Sequence, residues 1–137
     1  MIKRFFGVNI AVKDLDVATK RFTEVLGVKP TPMGNVDFAF PNLVGSEFTL
    51  GNKVVIRLIA SEATDTSIAR FIDTRGEGLF LITAETDDVE KEMQSLIKKG
   101  VQLIGSEPIQ HTSGKVGFVH PRSLHGVQLE LFQPKSD

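Results

Sequence analysis

The segment Val-Lys-Asp-Leu-Asp at residues 12–16 decides the fold, because a similar segment, Thr-Asp-Asp-Val-Glu, recurs at residues 86–90. Each segment follows a strand-like stretch and precedes apolar residues at helical spacing that end at a glycine. An internal repeat of this kind indicates that one supersecondary unit occurs more than once. Two copies, offset by about half the chain, predict a pseudo-two-fold domain rather than a solenoid.

The first copy begins with a predicted strand at residues 5–12, in which apolar side chains alternate with small or polar ones such as Asn9. Asp14 or Asp16 offers an N-cap for the helix that follows, and Gly27 is placed where that helix would end. The second copy repeats this order from a strand at residues 79–86. Further short strands are predicted at residues 36–40, 47–50, 54–60, 103–104, 115–120 and 127–132, between turn signals.

These elements predict an α+β fold built from two tandem βαβββ modules that form a cleft. Module one covers about residues 1–62, a connecting helix covers 67–74, and module two covers about 76–133, all within a single domain 1–137. We expect the helices to cover one face of the sheets. By alternation the other face carries Asn9, Arg57, Gln128 and Glu130.

Composition limits the function. The 137 residues are 41% hydrophobic and 24% charged, with a formal net charge of -1, which predicts no nucleic-acid or membrane partner. The chain contains no cysteine, so disulfides, thiolate catalysis and zinc-thiolate sites are excluded. No targeting signal is visible, and the cytoplasm is the expected location.

Two charged residues interrupt apolar strands, Arg57 within residues 54–60 and Glu130 within residues 127–132. An unpaired buried guanidinium is costly, so Arg57 needs a partner or water. If the repeat relates the modules, the two residues lie on corresponding last strands and pair across the cleft. The alternative is that Arg57 lies on an exposed edge.

The same chain resembles the vicinal oxygen chelate superfamily (glyoxalase, bleomycin resistance, extradiol dioxygenase) over essentially its whole length, and within it the methylmalonyl-CoA epimerases most. The segments that carry the resemblance, in order, are Asn9-Ile-Ala-Val-Lys-Asp-Leu-Asp, Ser67-Ile-Ala-Arg-Phe, Arg75-Gly-Glu-Gly, Asp87-Asp-Val-Glu, Lys99-Gly-Val and Val119-His-Pro-Arg-Ser-Leu-His-Gly-Val-Gln-Leu-Glu.

The resemblance implies one metal ion held by two histidines, a glutamine or glutamate, and a glutamate. Those positions fall on Gly7, Leu81, Arg57 and Glu130. Glycine and leucine offer no ligand, and arginine carries only donors. We therefore expect no metal and no other cofactor, with the guanidinium of Arg57 in the place of the cation. A relocated metal site remains an alternative, built from the histidines of the last quarter, His111, His120 and His125.

Three functions follow from this reading. The first is a metal-independent isomerase, epimerase or lyase acting next to a carbonyl, in which Glu130 is the base, Arg57 stabilises the oxyanion and Glu47 is a second carboxylate. The second is a non-catalytic small-molecule binding protein whose cleft is lined by phenylalanines such as Phe38, Phe40, Phe48 and Phe118. The third is a regulatory or structural remnant.

The expected ligand is a small molecule, an acyl-CoA thioester or a carboxylate. The resemblance to a coenzyme A enzyme makes Lys115 and Arg122 candidate phosphate contacts, and the alternative is that both are solvated charges at strand ends. The residues predicted to bind the substrate are Asn9, Gln128, His120, Arg122 and Phe118. The resemblance also implies a homodimer.

Overall fold

A computed structural model describes residues 1–136 of the chain. The elements are β1 (Ile2–Ala11), α1 (Leu15–Leu26), β2 (Thr31–Met33), β3 (Leu43–Leu50), β4 (Val54–Ser61), α2 (Ser67–Arg75), β5 (Gly78–Thr86), α3 (Val89–Lys98), β6 (Leu103–His111), β7 (Gly114–Val119) and β8 (Gln128–Pro134). The order strand, helix, three strands occurs twice with α2 between, so the predicted α+β class and tandem modules are confirmed. No helix within residues 1–136 has the length and apolar character needed to cross a membrane.

The two repeated helices begin at the aspartates that the repeat brings to equivalent places. Asp14 accepts a hydrogen bond from the backbone N–H of Val17 at 3.1 Å, and Asp88 accepts one from that of Lys91 at 3.1 Å. Gly27 ends α1 in the left-handed conformation, with φ 70°, which glycine adopts without steric cost. Of the two caps proposed for α1, Asp14 is therefore the one used, and Asp88 is its equivalent in α3.

The chain forms two compact units. We call Gly7–Phe80 the central unit, and Met1–Phe6 together with the residues from Leu81 onward the terminal unit. The predicted modules divided the chain once, near its middle. The structure instead assigns the first six residues to the unit formed by the second half of the chain.

In the central unit the strands lie in the order β2-β3-β4-β1, and only the β1–β4 pair is parallel. One face of these strands packs against α1 through Phe48 and Leu58, both fully buried. The opposite face packs against α2, whose Ile68 contacts Ala11 and Ile59. The prediction that helices cover one face only is wrong for this unit, and Phe48 lies under α1 instead of lining a cleft.

In the terminal unit the strands lie in the order β5-β8-β7-β6. Helix α3 packs its Val89 and Met93 against Val119 and Leu131. The apolar face predicted for the last strand is therefore the helix-covered one, and alternation places Glu130 on the other face. Strand β6 is longer than predicted and carries an irregularity between Ile104 and Ile109.

The strand predicted at residues 36–40 does not form. A short 3-10 helix covers Asn35–Asp37, and β2 comes earlier in the chain. Two side chains bind backbone N–H groups here: Asp37 accepts from Gly34 at 2.8 Å, and Asn35 Oδ1 accepts from Asn42 at 2.7 Å. Such local bonds compete with a strand ladder, and they convert the segment into a loop.

Candidate functional site

One row of side chains crosses all four strands of the central unit. The strand register pairs Asn9 with Arg57, Arg57 with Glu47, and Glu47 with Thr31. Paired residues in neighbouring strands project to the same face of a sheet. The predicted catalytic residues Arg57 and Glu47 and the predicted substrate-binding residue Asn9 therefore project to the same face of the central unit.

Arg57 and Glu47 form an ion pair in this row. Arg57 Nε donates to Glu47 Oε2 at 2.6 Å, and the two side chains are only 21% and 24% exposed. Charge-assisted hydrogen bonds are stronger than neutral ones, and partial burial reduces solvent screening. The pair thus fixes one edge of the guanidinium. The predicted pairing of Arg57 with Glu130 stays a prediction, because these residues belong to different units.

The row next to the ion pair is apolar. Ala11 pairs with Ile59, and Ile59 pairs with Gly45. Phe38 packs against the cluster that contains Ala11 and Ile59, and the ring of Phe71 packs there too. Ala11 and Ile59 are 0% and 2% exposed and lie under α2, so the guanidinium of Arg57 is held next to packed core and not next to an open apolar surface.

In the terminal unit Glu130 is buried and hydrogen-bonded. Thr83 Oγ1 donates to Glu130 Oε1 at 2.8 Å, and Glu130 is 9% exposed. The register pairs Glu130 with Phe118 on one side and Thr83 on the other, while Gln128 pairs with Leu81. Glu130, Phe118 and Gln128 therefore project to one face of this unit, as the alternation in the last strand predicts.

The remaining predicted residues lie in the turn after β7. His120 Nδ1 accepts a hydrogen bond from the backbone N–H of Arg122 at 3.0 Å and so caps the 3-10 helix Pro121–Ser123. His125 is exposed, with φ 54°. Within residues 1–136 no group of three histidine, aspartate or glutamate side chains is gathered as a metal site. The role of His120 in substrate binding stays a prediction. Its capping of the 3-10 helix is a structural reason for a histidine at this position.

The four positions that the resemblance implies for a divalent metal ion do not fit one. A Cβ added to Gly7 would overlap the carbonyl oxygen of Val55 and lie 2.7 Å from its Cγ2, so no histidine fits there without a backbone shift. Leu81 is apolar and 3% exposed, and Arg57 offers donors only. Glu130 is the one ligand-type residue of the four, whereas divalent ions need several converging ligands.

The pair of Arg57 with Glu47 had a signal that the sequence reading missed. Residues Gly51 and Asn52 mark a turn, and counting outward from it pairs Leu50 with Val54 and then Glu47 with Arg57. Opposite charges facing each other across a hairpin stabilise it. The role of Thr83 had no such signal, because its partner Glu130 is 47 residues away.

With this geometry in place, comparison with known proteins defines the class. The model of the Glyoxalase/Bleomycin resistance protein/Dioxygenase superfamily matches residues 7–119, so the chain belongs to that superfamily. An ethylmalonyl-CoA/methylmalonyl-CoA epimerase from Cereibacter sphaeroides is 31% identical over 97% of this chain and 99% of its own length. The uncharacterized protein YqjC of Bacillus subtilis is 29% identical over 99% of this chain and 96% of its own length.

Solved structures agree. The crystal structure of methylmalonyl-CoA epimerase from Mycobacterium tuberculosis is 28% identical, with a TM-score of 0.87, and the match covers 98% of this chain and 90% of that one. The recognition of the superfamily and the similarity to methylmalonyl-CoA epimerases are therefore confirmed.

Proposed function

We propose that this protein is a metal-independent isomerase or epimerase that acts at the carbon next to the carbonyl of a small acyl group, carried as a coenzyme A thioester. The observation that carries the proposal is the half-buried ion pair of Arg57 and Glu47. It puts a fixed positive charge where the resemblance implies a metal ligand. Similarity to epimerases of acyl-CoA substrates supports the substrate class.

The chemistry needs a cation and a base. Removal of the proton next to a thioester carbonyl breaks a C–H bond and leaves negative charge on the carbonyl oxygen. The guanidinium of Arg57 stabilises that oxygen, and a preoriented donor is effective because it does not reorganise during the reaction. Glu47 holds the guanidinium in place through Nε, which we consider its role in preference to that of second proton-transfer group.

Glu130 is the proposed base, as the sequence predicts. Its carboxylate takes the proton as the C–H bond breaks, a proton from solvent water is added to the opposite side of the carbon to complete epimerisation, and Glu130 then releases its proton to solvent. The hydrogen bond from Thr83 orients one carboxylate oxygen and is made by a neutral donor. Participation of Glu130 in the reaction is a prediction that its own variant tests.

The test is hydrogen exchange in deuterated water. Propionyl-CoA and methylmalonyl-CoA are incubated with the protein after treatment with chelator, and deuterium next to the carbonyl is followed by NMR. We expect exchange by the wild type, at least a hundredfold less with Arg57→Ala, and an intermediate loss with Arg57→Lys, which keeps the charge but loses the pairing geometry. Glu130→Gln is expected to abolish exchange.

Two outcomes oppose the proposal. If the protein catalyses deuterium exchange with none of the thioesters, the proposed isomerase or epimerase activity is refuted. Exchange that disappears with chelator and returns with cobalt or zinc refutes its metal independence.

A binding protein is the second candidate, favoured by the guanidinium of Arg57, which Glu47 holds in a fixed position while 21% of the Arg57 side chain stays exposed. Arg57 would then bind a carboxylate of the ligand. This candidate predicts tight ligand binding that Arg57→Ala removes, without any exchange. A remnant with neither property would respond to the same substitution only in stability. The expected homodimer stays a prediction, which sedimentation equilibrium tests.

A further inference from the structure

Asn9 carries a side-chain amide that is largely buried and has no hydrogen-bond partner among residues 1–136. The residue is 7% exposed. Within the part of the chain that the structure describes, no side-chain oxygen or nitrogen of a buried residue is both sealed from solvent and without a hydrogen bond, so the amide atoms of Asn9 reach solvent. A buried polar group without a protein partner costs free energy and calls for an explanation.

This amide projects to the same face as the guanidinium of Arg57. Asn9 and Arg57 are direct partners in the parallel pair of β1 and β4, and neighbouring strands lie about 4.8 Å apart. Two donors at that spacing can converge on one oxygen atom between them, since each hydrogen bond is about 2.9 Å long. The row under α2 is sealed, whereas Arg57 is 21% exposed and the Asn9 amide reaches solvent. A charged donor and a neutral one therefore lie side by side where solvent has access.

We infer that Asn9 donates the second hydrogen bond to the anionic oxygen that Arg57 stabilises. The positive charge of the guanidinium favours an anionic oxygen at this place, and such an oxygen accepts from the NH2 group of an amide. The inference rests on the proposed function for the identity of that oxygen, which is the carbonyl oxygen of the thioester. Asn9 and Arg57 together then form an oxyanion site with one neutral and one charged donor.

Asn9→Leu separates this role from a structural one. Leucine has nearly the same shape as asparagine but no polar atom, so the substitution removes an unpaired buried amide and adds apolar burial. We expect Tm in calorimetry to stay the same or rise, while deuterium exchange falls about a hundred- to a thousandfold. The loss should appear in kcat more than in KM, because the oxygen gains its negative charge only as the C–H bond breaks.

Asn35→Leu is the matched control, because the amide of Asn35 is bound through both of its polar atoms. Asn35 Nδ2 donates to Glu62 Oε1 at 3.0 Å, and Asn35 Oδ1 accepts from the backbone N–H of Asn42 at 2.7 Å. Removal of this amide leaves its partners without their bonds and should lower Tm. It should leave deuterium exchange unchanged, so the two variants are expected to differ in opposite directions in stability and in activity.

Binding of propionate tests the same site without catalysis, since a carboxylate presents an anionic oxygen as an enolate does. NMR titration of the wild type labelled with nitrogen-15 follows the Nδ2–H signals of Asn9, which triple-resonance spectra assign. We expect these signals to move downfield and to saturate together with the other signals that respond to propionate. Asn9→Leu should weaken propionate about ten- to a hundredfold, and Arg57→Ala at least as much.

The inference is overturned if the wild type does not bind propionate, or if the Asn9 amide signals stay in place while propionate binds. It is also overturned if Asn9→Leu lowers Tm as far as Asn35→Leu does and leaves the affinity for propionate unchanged. Failure of the proposed function looks different. The wild type would then show no deuterium exchange with any thioester, while propionate binding and its loss in Asn9→Leu would persist.

Discussion

Replacing Gly7 by alanine tests the closest approach between strands that the structure contains near the candidate site. The added Cβ would overlap the carbonyl oxygen of Val55, lie 2.9 Å from the carbonyl carbon and 2.7 Å from Cγ2. Most of this obstacle is backbone of a paired strand, which cannot turn away as a flexible side chain can. Overpacking of this kind costs about 1–3 kcal/mol, more than the ~0.4–1 kcal/mol by which alanine restricts the unfolded chain.

For a chain of this length, 1 kcal/mol corresponds to about 3.5 °C in Tm. With the gain from the restricted unfolded chain subtracted, we expect Gly7→Ala to lower Tm by about 5 °C, and by at most roughly 9 °C, in calorimetry, with a matching fall in the urea midpoint at unchanged slope. Gly34→Ala is the control, because Gly34 has φ -103° and no atom within 4 Å of an added Cβ. It should leave Tm unchanged or slightly raised. Equal Tm values for the two variants would show that β1 and β4 do not approach this closely.

Three further outcomes are expected. The Met1 amino group binds Glu92 and Asp87, which raises the pKa of the amino group above 8.0, and the amino group in turn lowers the pKa of Asp87 below 3.8. The stabilisation from these ion pairs is therefore present between pH 3.8 and 8.0, and it is lost as the pH rises through the raised pKa or falls through the lowered one. It should disappear on N-terminal acetylation, and Tm measured against pH checks both expectations. Thr83→Val removes the hydroxyl that donates to buried Glu130 and should cost about 1–3 kcal/mol in urea unfolding, whereas Thr83→Ser should cost less. Phe48→Ala empties a fully buried position and should cost roughly 3–5 kcal/mol; a loss below 1 kcal/mol would contradict the packing of α1 described above.

The fold was predictable because its main signals are local and repeated. Asp14 and Asp88 stand at equivalent places in the repeat and both cap helices. The alternation around Glu130 correctly placed this carboxylate on the face that α3 does not cover. Periodicity and capping depend on neighbours a few residues apart, and such neighbours are visible in one sequence.

The site was less predictable because its contacts depend on register. The sequence indicated only Glu130 as a partner for Arg57, a pairing that stays a prediction, and it did not indicate Glu47, which lies directly opposite Arg57 in the neighbouring strand. The segment with Phe38 was read as a strand, because its apolar alternation resembles one, and the side-chain hydrogen bonds of Asn35 and Asp37 override that pattern. Which strand lies beside which, and which short polar residue binds the backbone, are decided by the folded structure.

The terminal unit takes its first six residues from the beginning of the chain. Met1 is bound by Thr86 and Asp87, Arg4 forms an ion pair with Glu85, and the ring of Phe6 packs on Phe132 at 5.1 Å. During synthesis on a ribosome, the central unit has its whole sequence once Phe80 has emerged. Residues 1–6 of the terminal unit are synthesised first, but the unit is complete only after its last strand, β8, has been synthesised. Because domains fold as units, we expect the middle of the chain to fold first during synthesis and the terminal unit to assemble afterwards.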